Sequence, residues 1–458
     1  MTRVFLAAMI LAAHPLGSRG DEAAVRLTVR PMPAPRPALK YQLLPELREL
    51  RPGNAAQNYL KCFMEQRLFF YSKELAAERA RYETIPLGEL PADKLRQYGG
   101  FILRQADWAA RLDAVDWQNL ERIQNGGMET LADELGPLQI LAAALHVRFR
   151  VDVAGRRFDD AIGTAKTMFA LASHLGEHPT EVADLVGLWV AHLGLGALEE
   201  MEQQPECPNL YWALTNLPCP LVDLHKGVQG DRTRMAADLR LLRDDAPMTD
   251  PEIEKFVSHL SGVMGFAREQ AGLPPRSIRA RLRARVSDPE RVRAARQRLI
   301  EAGYGPDLVK SLPPTQAILM DEKRDYEIER DDRMKLLAVP LWQIDTSTGS
   351  EERPSDTAGL FADLLPHIVK LRRTQARLEQ QIAILRYVEA LRLYAAVRDG
   401  KLPAKLANIA VPLPIDPVTG QPFVYYVEGA TAHIRGGSLE GDMDAPGYNV
   451  HYEVTLRK

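Results

Sequence analysis

The first ordered pattern along the chain is an alternation. Ala24-Val-Arg-Leu-Thr-Val-Arg30 places apolar and polar residues at every second position, the signature of a half-buried strand. Pro31, Pro33, Pro35 and Pro37 then keep the backbone extended and remove ladder donors. From residue 55 the period changes. Apolar residues recur three and four apart in residues 59–63, 101–112 and 138–149, and Gly or Pro marks most of the breaks, which predicts helices packed on one another over 55–345. Residues 346–357, rich in Ser, Thr, Gly, Glu and Pro, read as a flexible loop. Residues 358–397 read as one long helix kinked at Pro366, with Leu378, Ile382, Leu385, Val388, Ala390, Leu391 and Leu393 forming a broad apolar face.

Beyond that helix the period returns to two. Residues 423–427, 431–434 and 450–456 carry β-branched and aromatic side chains at strand spacing, with Glu428-Gly429 and Gly436-Gly437 as turn points. They predict a small antiparallel sheet packed on the long helix, with residues 24–30 adding a strand at its edge. The expected fold is therefore mainly α: an irregular helical bundle, a long helix and a small C-terminal sheet. Within the bundle, Gly155-Arg-Arg-Phe-Asp-Asp-Ala-Ile162 followed by a helix over 180–201 resembles a tetratricopeptide hairpin, with Ala161 small enough to admit a neighbouring helix. No second copy recurs at the spacing of about 34 residues that a repeat array requires.

The segment Leu391-Arg-Leu-Tyr-Ala-Ala-Val-Arg-Asp-Gly-Lys-Leu-Pro-Ala404 with Pro414-Ile-Asp-Pro-Val-Thr-Gly-Gln-Pro-Phe-Val-Tyr425 orders a helix, a loop and a strand. In this it resembles the C-terminal part of type II secretion pseudopilins, and the resemblance implies a tail fold. The prepilin cleavage motif and the long apolar N-terminal helix of that family have no counterpart here. Further strings, among them Pro37-Ala-Leu-Lys-Tyr-Gln-Leu-Leu-Pro-Glu-Leu47, Pro52-Gly-Asn-Ala-Ala56 and Pro208-Asn-Leu-Tyr-Trp-Ala-Leu-Thr215, resemble a set of uncharacterised exported helical proteins typical of planctomycete-type bacteria. That resemblance implies export and brings no activity.

Composition adds compartment and partner. Met1-Thr-Arg3, an apolar run over 4–13 and small residues at Ser18 and Gly20 give residues 1–20 the tripartite form of a secretory signal peptide. The expected location is the periplasm, the cell envelope or the medium, and other envelope proteins are the expected partners. The apolar run 183–198 is interrupted by Asp184, Gly187, His192, Gly194 and Gly196, so no transmembrane span is expected after signal removal. A net charge of −3 with 26% charged residues lacks the positive field that gathers phosphates, so no nucleic-acid partner is expected. Nine arginines between Arg276 and Arg298 offer either an anion-binding face or a solvated surface balanced by acidic neighbours such as Asp288 and residues 321–332. Of the three cysteines, Cys62, Cys207 and Cys219, the last two could pair in an oxidising compartment or remain free thiols.

Candidate chemistry is sparse. His174-Leu-Gly-Glu-His178 matches the H-x-x-E-H string in which two histidines hold zinc and the glutamate activates a bound water, with Glu199 or Glu200 as nominal third ligand. Gly176 and Pro179 argue instead for a helix end, with Gly176 as a left-handed cap and the histidines as surface or capping residues. Asp416, Glu440, Asp442 and Asp444 beside glycines offer oxygen donors for calcium or an exposed acidic turn. Trp108, Trp117, Trp189, Trp212 and Trp342 read as core. No nucleophile elbow, P-loop or dinucleotide turn is present, and no cofactor is expected. The reading that follows is an exported, non-enzymatic scaffold or interaction protein; the alternatives are a zinc hydrolase using His174, Glu177 and His178, and an envelope component of the secretion apparatus.

Overall fold

A computed structural model describes residues 24–65, 67–130, 132–270, 274, 276–344, 359–437 and 450–457. Residues 1–20, the loop 346–357 and the candidate calcium ligands Glu440, Asp442 and Asp444 lie outside the described residues.

The fold is mainly α, with sixteen helices among the described residues and a small mixed sheet. In chain order it runs β1 (Val25–Val29), β2 (Arg51–Asn54), α1 (Ala55–Glu65), α2 (Arg67–Tyr71), α3 (Lys73–Thr84), α4 (Gly100–Ala109), β3 (Leu112–Ala114), α5 (Leu120–Gly126), α6 (Leu135–Ala154), α7 (Phe158–Leu175), α8 (Glu181–Glu202) and α9 (Tyr211–Thr215). It continues with α10 (His225–Leu239), α11 (Asp250–Gln270), α12 (Ile278–Val286), α13 (Pro289–Glu301), α14 (Pro306–Ser311), α15 (Pro314–Met334), α16 (Ile368–Ala396), β4 (Val424–Glu428), β5 (Thr431–Arg435) and β6 (His451–Leu456).

Helices α6, α7 and α8 are apolar on nearly every side, and a helix of that kind must be buried all round. They form the main core, joined by Leu378, Ile382 and Leu385 of α16. Helices α7 and α8 run antiparallel, because Gly187 of α8 sits against Ala172 and Leu175 while Gly194, one turn pair further on, sits against Phe169. A Cβ at Gly187 would stand 2.9 Å from the Ala172 carbonyl oxygen, so glycine there sets the helix spacing. By length and composition α8 would suffice to cross a membrane, against the expectation from its interrupting polar residues; 61% of its apolar window is instead buried inside the protein. A second core unites Met235, Phe256, Leu260, Leu299, Leu319 and Phe361, residues of α10 to α15 and the segment before α16.

The long helix is shorter than its sequence pattern. It begins at Ile368, and residues 359–364 form a turn and a single 3₁₀ turn. Pro366 does not kink a helix but precedes one, as expected where proline disfavours helical geometry in the residue before it. The sheet also departs from expectation. Its order is β1-β6-β5-β4, with β4, β5 and β6 antiparallel but β1 parallel to β6, so the sheet is mixed. Its inner face, Leu27, Val29, Ala432, Ile434, Tyr452 and Val454, packs with Phe423 on Ala383, Ile384, Tyr387, Val388 and Leu391 of α16. A parallel pair of short strands, β2 with β3, lies in a region read as proline-rich and helical. Trp117 is buried and Trp189 and Trp212 are half-buried, but Trp108 and Trp342 are exposed. Trp108 lies under the Arg51 guanidinium at 4.3 Å, and Trp342 rests on Gly420, whose φ of +68° and close approach both call for glycine.

Because β6 is an interior strand carrying buried Tyr452 and Val454, the sheet cannot close without it. Deleting residues 449–458 is expected to lower the melting temperature of the whole protein in scanning calorimetry. An unchanged main transition would show a sheet that is energetically separate from the helices.

Candidate functional site

The His174 to His178 segment is where the sequence offered its sharpest chemistry. Helix α7 ends at Leu175, and the chain turns through short i to i+3 hydrogen bonds, Gly176 N–H to Ser173 at 3.1 Å and His178 N–H to Leu175 at 3.0 Å. Thr180 then caps α8 by accepting from the Ala183 amide at 3.3 Å. Gly176 is right-handed, with φ −64° and ψ −15°, not the left-handed cap expected. Glycine is needed there for space: a Cβ would stand 3.0 Å from the backbone of Asp223.

Nor are the histidines surface residues. The His174 ring accepts or donates at Nδ1 to Tyr59 Oη, 3.1 Å away, and burial lowers its pKa to about 4. His178 is fully buried, with Nε2 3.0 Å from Glu134 and Nδ1 2.9 Å from Thr180 Oγ1. Burial pushes the Glu134 carboxyl up, but hydrogen bonds from His178, its own backbone and Asn119 outweigh it and hold the group at about 2. Glu177 points away, exposed, and pairs with Lys226 at 3.0 Å. Glu200 pairs with Arg150 at 2.7 Å. The structure therefore does not assemble His174, Glu177 and His178 around one ion. These residues lock the α7–α8 turn to α1 and α6.

Three other polar groups stand out. At the start of α8, Asp184 is fully buried with neither oxygen hydrogen-bonded, beside the charges of Asp231 and Glu181. Helix α10 presses on it through Gly227 and Gly230, where any Cβ would overlap the Asp184 carboxylate and the Pro179 carbonyl. Burial raises Asp184 well above the usual carboxylate range and Glu181 to about 8.

At the other end of α8, Glu202 meets the α16 pair Glu389 and Arg392. All three are sealed from solvent. Arg392 donates to both Glu389 oxygens at 2.8 and 3.0 Å, to the Cys207 carbonyl at 2.6 Å and to the Arg30 carbonyl at 3.0 Å. Asn209 donates to Glu389 at 2.5 Å. Glu202 has no hydrogen bond of good geometry, and burial, with the Glu389 charge added, keeps its pKa well above normal. Nearby, Tyr452 of β6 donates to Glu199 at 2.5 Å. Cys207 is buried here and Cys219 is exposed; both are free thiols.

The third group lies on the outer face of the sheet, where His433, His451 and Glu453 bring donor atoms within 4.8 Å of one another. Sequence reading passed over it, because the two histidines sit 18 residues apart within ordinary strand patterns and meet only through register. Asp416 is not part of an exposed acidic turn. It is buried, and accepts from the Val418 amide at 2.8 Å, Gln380 at 2.9 Å and the Gly437 amide at 2.7 Å, pinning the loop before β4 to α16. Within the arginine-rich stretch, Arg285 pairs with Glu322 at 2.7 Å, Arg298 with Asp321, Arg293 with Glu290 and Arg279 with Glu254. No protein-family model, curated protein or solved structure matches the chain.

Two expectations follow. Arg392→Ala strands Glu389 in the core and should cost about 3–5 kcal/mol in chemical denaturation, whereas Glu389→Gln with Arg392→Met should recover most of that loss. The second concerns pH. Glu181, Asp184 and Glu202 keep protons in the fold that the unfolded chain has released, so stability falls as pH rises from the ordinary carboxylate range to about 8. Below pH 6.5, His174 and His192, each lowered by burial to about 4, act in the opposite sense, so the span from 6.5 to 8 isolates the acids. Asp184→Asn and Glu202→Gln should each make the downward slope there shallower in urea titrations. An unaltered slope in both variants would contradict the assignment.

Proposed function

We propose that this chain is an exported, non-enzymatic scaffold or interaction protein of the periplasm or cell envelope. The observation that carries the reading is a run of exposed apolar side chains at the junction of α1 and α2. Helices α1 and α2 bury Phe63 and Phe70 edge to face, with ring centroids 4.6 Å apart, and turn Met64, Leu68 and Tyr71 outward. Met64 lies near the end of α1 and Leu68 and Tyr71 lie on α2, and the three are 77%, 80% and 53% exposed. Apolar side chains grouped at the surface mark places where proteins meet. The occupant that fits is an apolar segment of another envelope protein. The helical body supplies rigidity, and the buried polar groups of α8 and α16 serve packing and registration of the parts. Export is supported by the tripartite composition of residues 1–20.

The test combines location and contact. In the native host, mass spectrometry should find the mature N-terminus near Asp21 in a non-cytoplasmic fraction. A photocrosslinking residue at Tyr71 should give a discrete adduct with one envelope protein, lost in a Met64→Ser, Leu68→Ser variant whose stability changes by no more than about 0.5 kcal/mol. An adduct that survives the double substitution, or an intact residue 1–20 segment on a cytoplasmic protein, would count against the reading.

A further inference from the structure

Register places one side chain from each strand in a row across the outer face of the sheet. Arg26 is the partner of Glu453, Glu453 of His433, and His433 of Tyr426. His451 stands two residues before Glu453 on the same strand, and alternation puts both on the same face. His433 Nδ1 and His451 Nε2 are 3.0 Å apart. We propose that His433, His451 and Glu453 form a binding site for a divalent transition-metal ion of the zinc class.

Four observations support it. First, the spacing suits an ion. Two imidazole nitrogens bound to zinc at about 2.0–2.1 Å with tetrahedral angles stand about 3.3 Å apart, so the histidines need separate by only about 0.3 Å. As they stand, a contact between two ring nitrogens requires one proton between them. An ion about 1.2 Å off that line replaces the proton and serves both lone pairs.

Second, the rings are held before any ion arrives. His433 is only 8% exposed, and it lies between Tyr426, with centroids 4.6 Å apart and planes within 4°, and His451, with centroids 5.3 Å apart and planes within 27°. The strands that carry them are fixed from beneath by the packing of Ala432, Ile434, Tyr452 and Val454 on α16. A site on strands with locked rotamers loses little on ordering its ligands.

Third, the donor set selects the ion. Two imidazoles and one carboxylate, with a fourth position left to water, suit zinc, cobalt or nickel. Calcium and magnesium seek oxygen donors and gain little from imidazole.

Fourth, an outer carboxylate stands within reach. The His433 Nε2 that would face away from the ion lies 3.8 Å from the Glu428 carboxylate, the arrangement that orients a ligating imidazole once the exposed glutamate moves in. Arg26 occupies Glu453 at 2.9 Å, but its side chain is 82% exposed and can swing into solvent. Arg26 is thus a competitor for the third ligand.

The experiment uses the untagged full chain, titrated with Zn²⁺ by calorimetry and with Co²⁺ by visible absorption. One ion per chain and a tetrahedral Co²⁺ band are expected. His451→Ala and Glu453→Gln, both partly exposed positions, should weaken binding at least about tenfold without loss of fold. Arg26→Ala should tighten it, an effect that a purely structural cluster would not produce. His225→Ala, at an exposed histidine paired with Asp223, should leave it unchanged. A wild-type chain that takes up neither ion, or uptake that His451→Ala and Glu453→Gln leave unaltered, would overturn the site.

Discussion

Taking a guanidinium and a carboxylate out of water costs several kcal/mol per ion, and this chain does so where α8, α16 and the sheet meet. Arg392 and Glu389 are fully buried on α16, where they pair with each other, and their further contacts come from elsewhere: the chain after α8, through Cys207 and Asn209, and the end of β1, through Arg30. An apolar pair of the same volume could stabilise the junction as well or better. What the ion pair adds is geometry. A sheet face slides on an apolar helix at little cost, but a guanidinium with fixed donor directions accepts one docking angle between sheet, α16 and α8. Tyr452 on Glu199 reinforces the same angle from the next strand.

Burial on that scale also explains why α8 carries so many polar groups in so apolar a helix. Asp184 and Glu202 stand at its two ends, each at a place where another helix or the sheet closes over it. Their raised pKa values mean that the core is assembled from acids in their neutral form. The helix is long and apolar enough for a bilayer, yet its neighbours α7, α10 and α16 supply the low-dielectric surroundings instead.

How much of this could be read in advance depends on the range of the interaction. Local signals sufficed for β1, whose alternation over residues 24–30 appears as Val25–Val29, and for the break between α7 and α8, which Gly176 and Pro179 announced. They misjudged the reason: Gly176 answers the backbone of Asp223, distant in sequence, and not a local need for positive φ. The start of α16 was placed ten residues early because apolar residues before Pro366 continue the helical pattern while packing in the second core. The parallel pairing of β1 with β6 left no trace in either strand, since a strand's own sequence does not record its partner's direction. The His433 and His451 pair was invisible for the same reason, because neither residue has chemical meaning until β5 and β6 are in register.

That pairing has a consequence in time. Arg26 and Glu453 are bonded across the sheet although 427 positions separate them along the chain. A ribosome adding about 5–20 residues per second therefore makes β1 roughly 20–90 s before the strand it must join. Throughout that interval β1 has an apolar side and no ladder partner, while the helices between can already fold on local contacts. The sheet therefore cannot close before β6 is made, and until then the first strand is exposed to anything that binds an extended peptide.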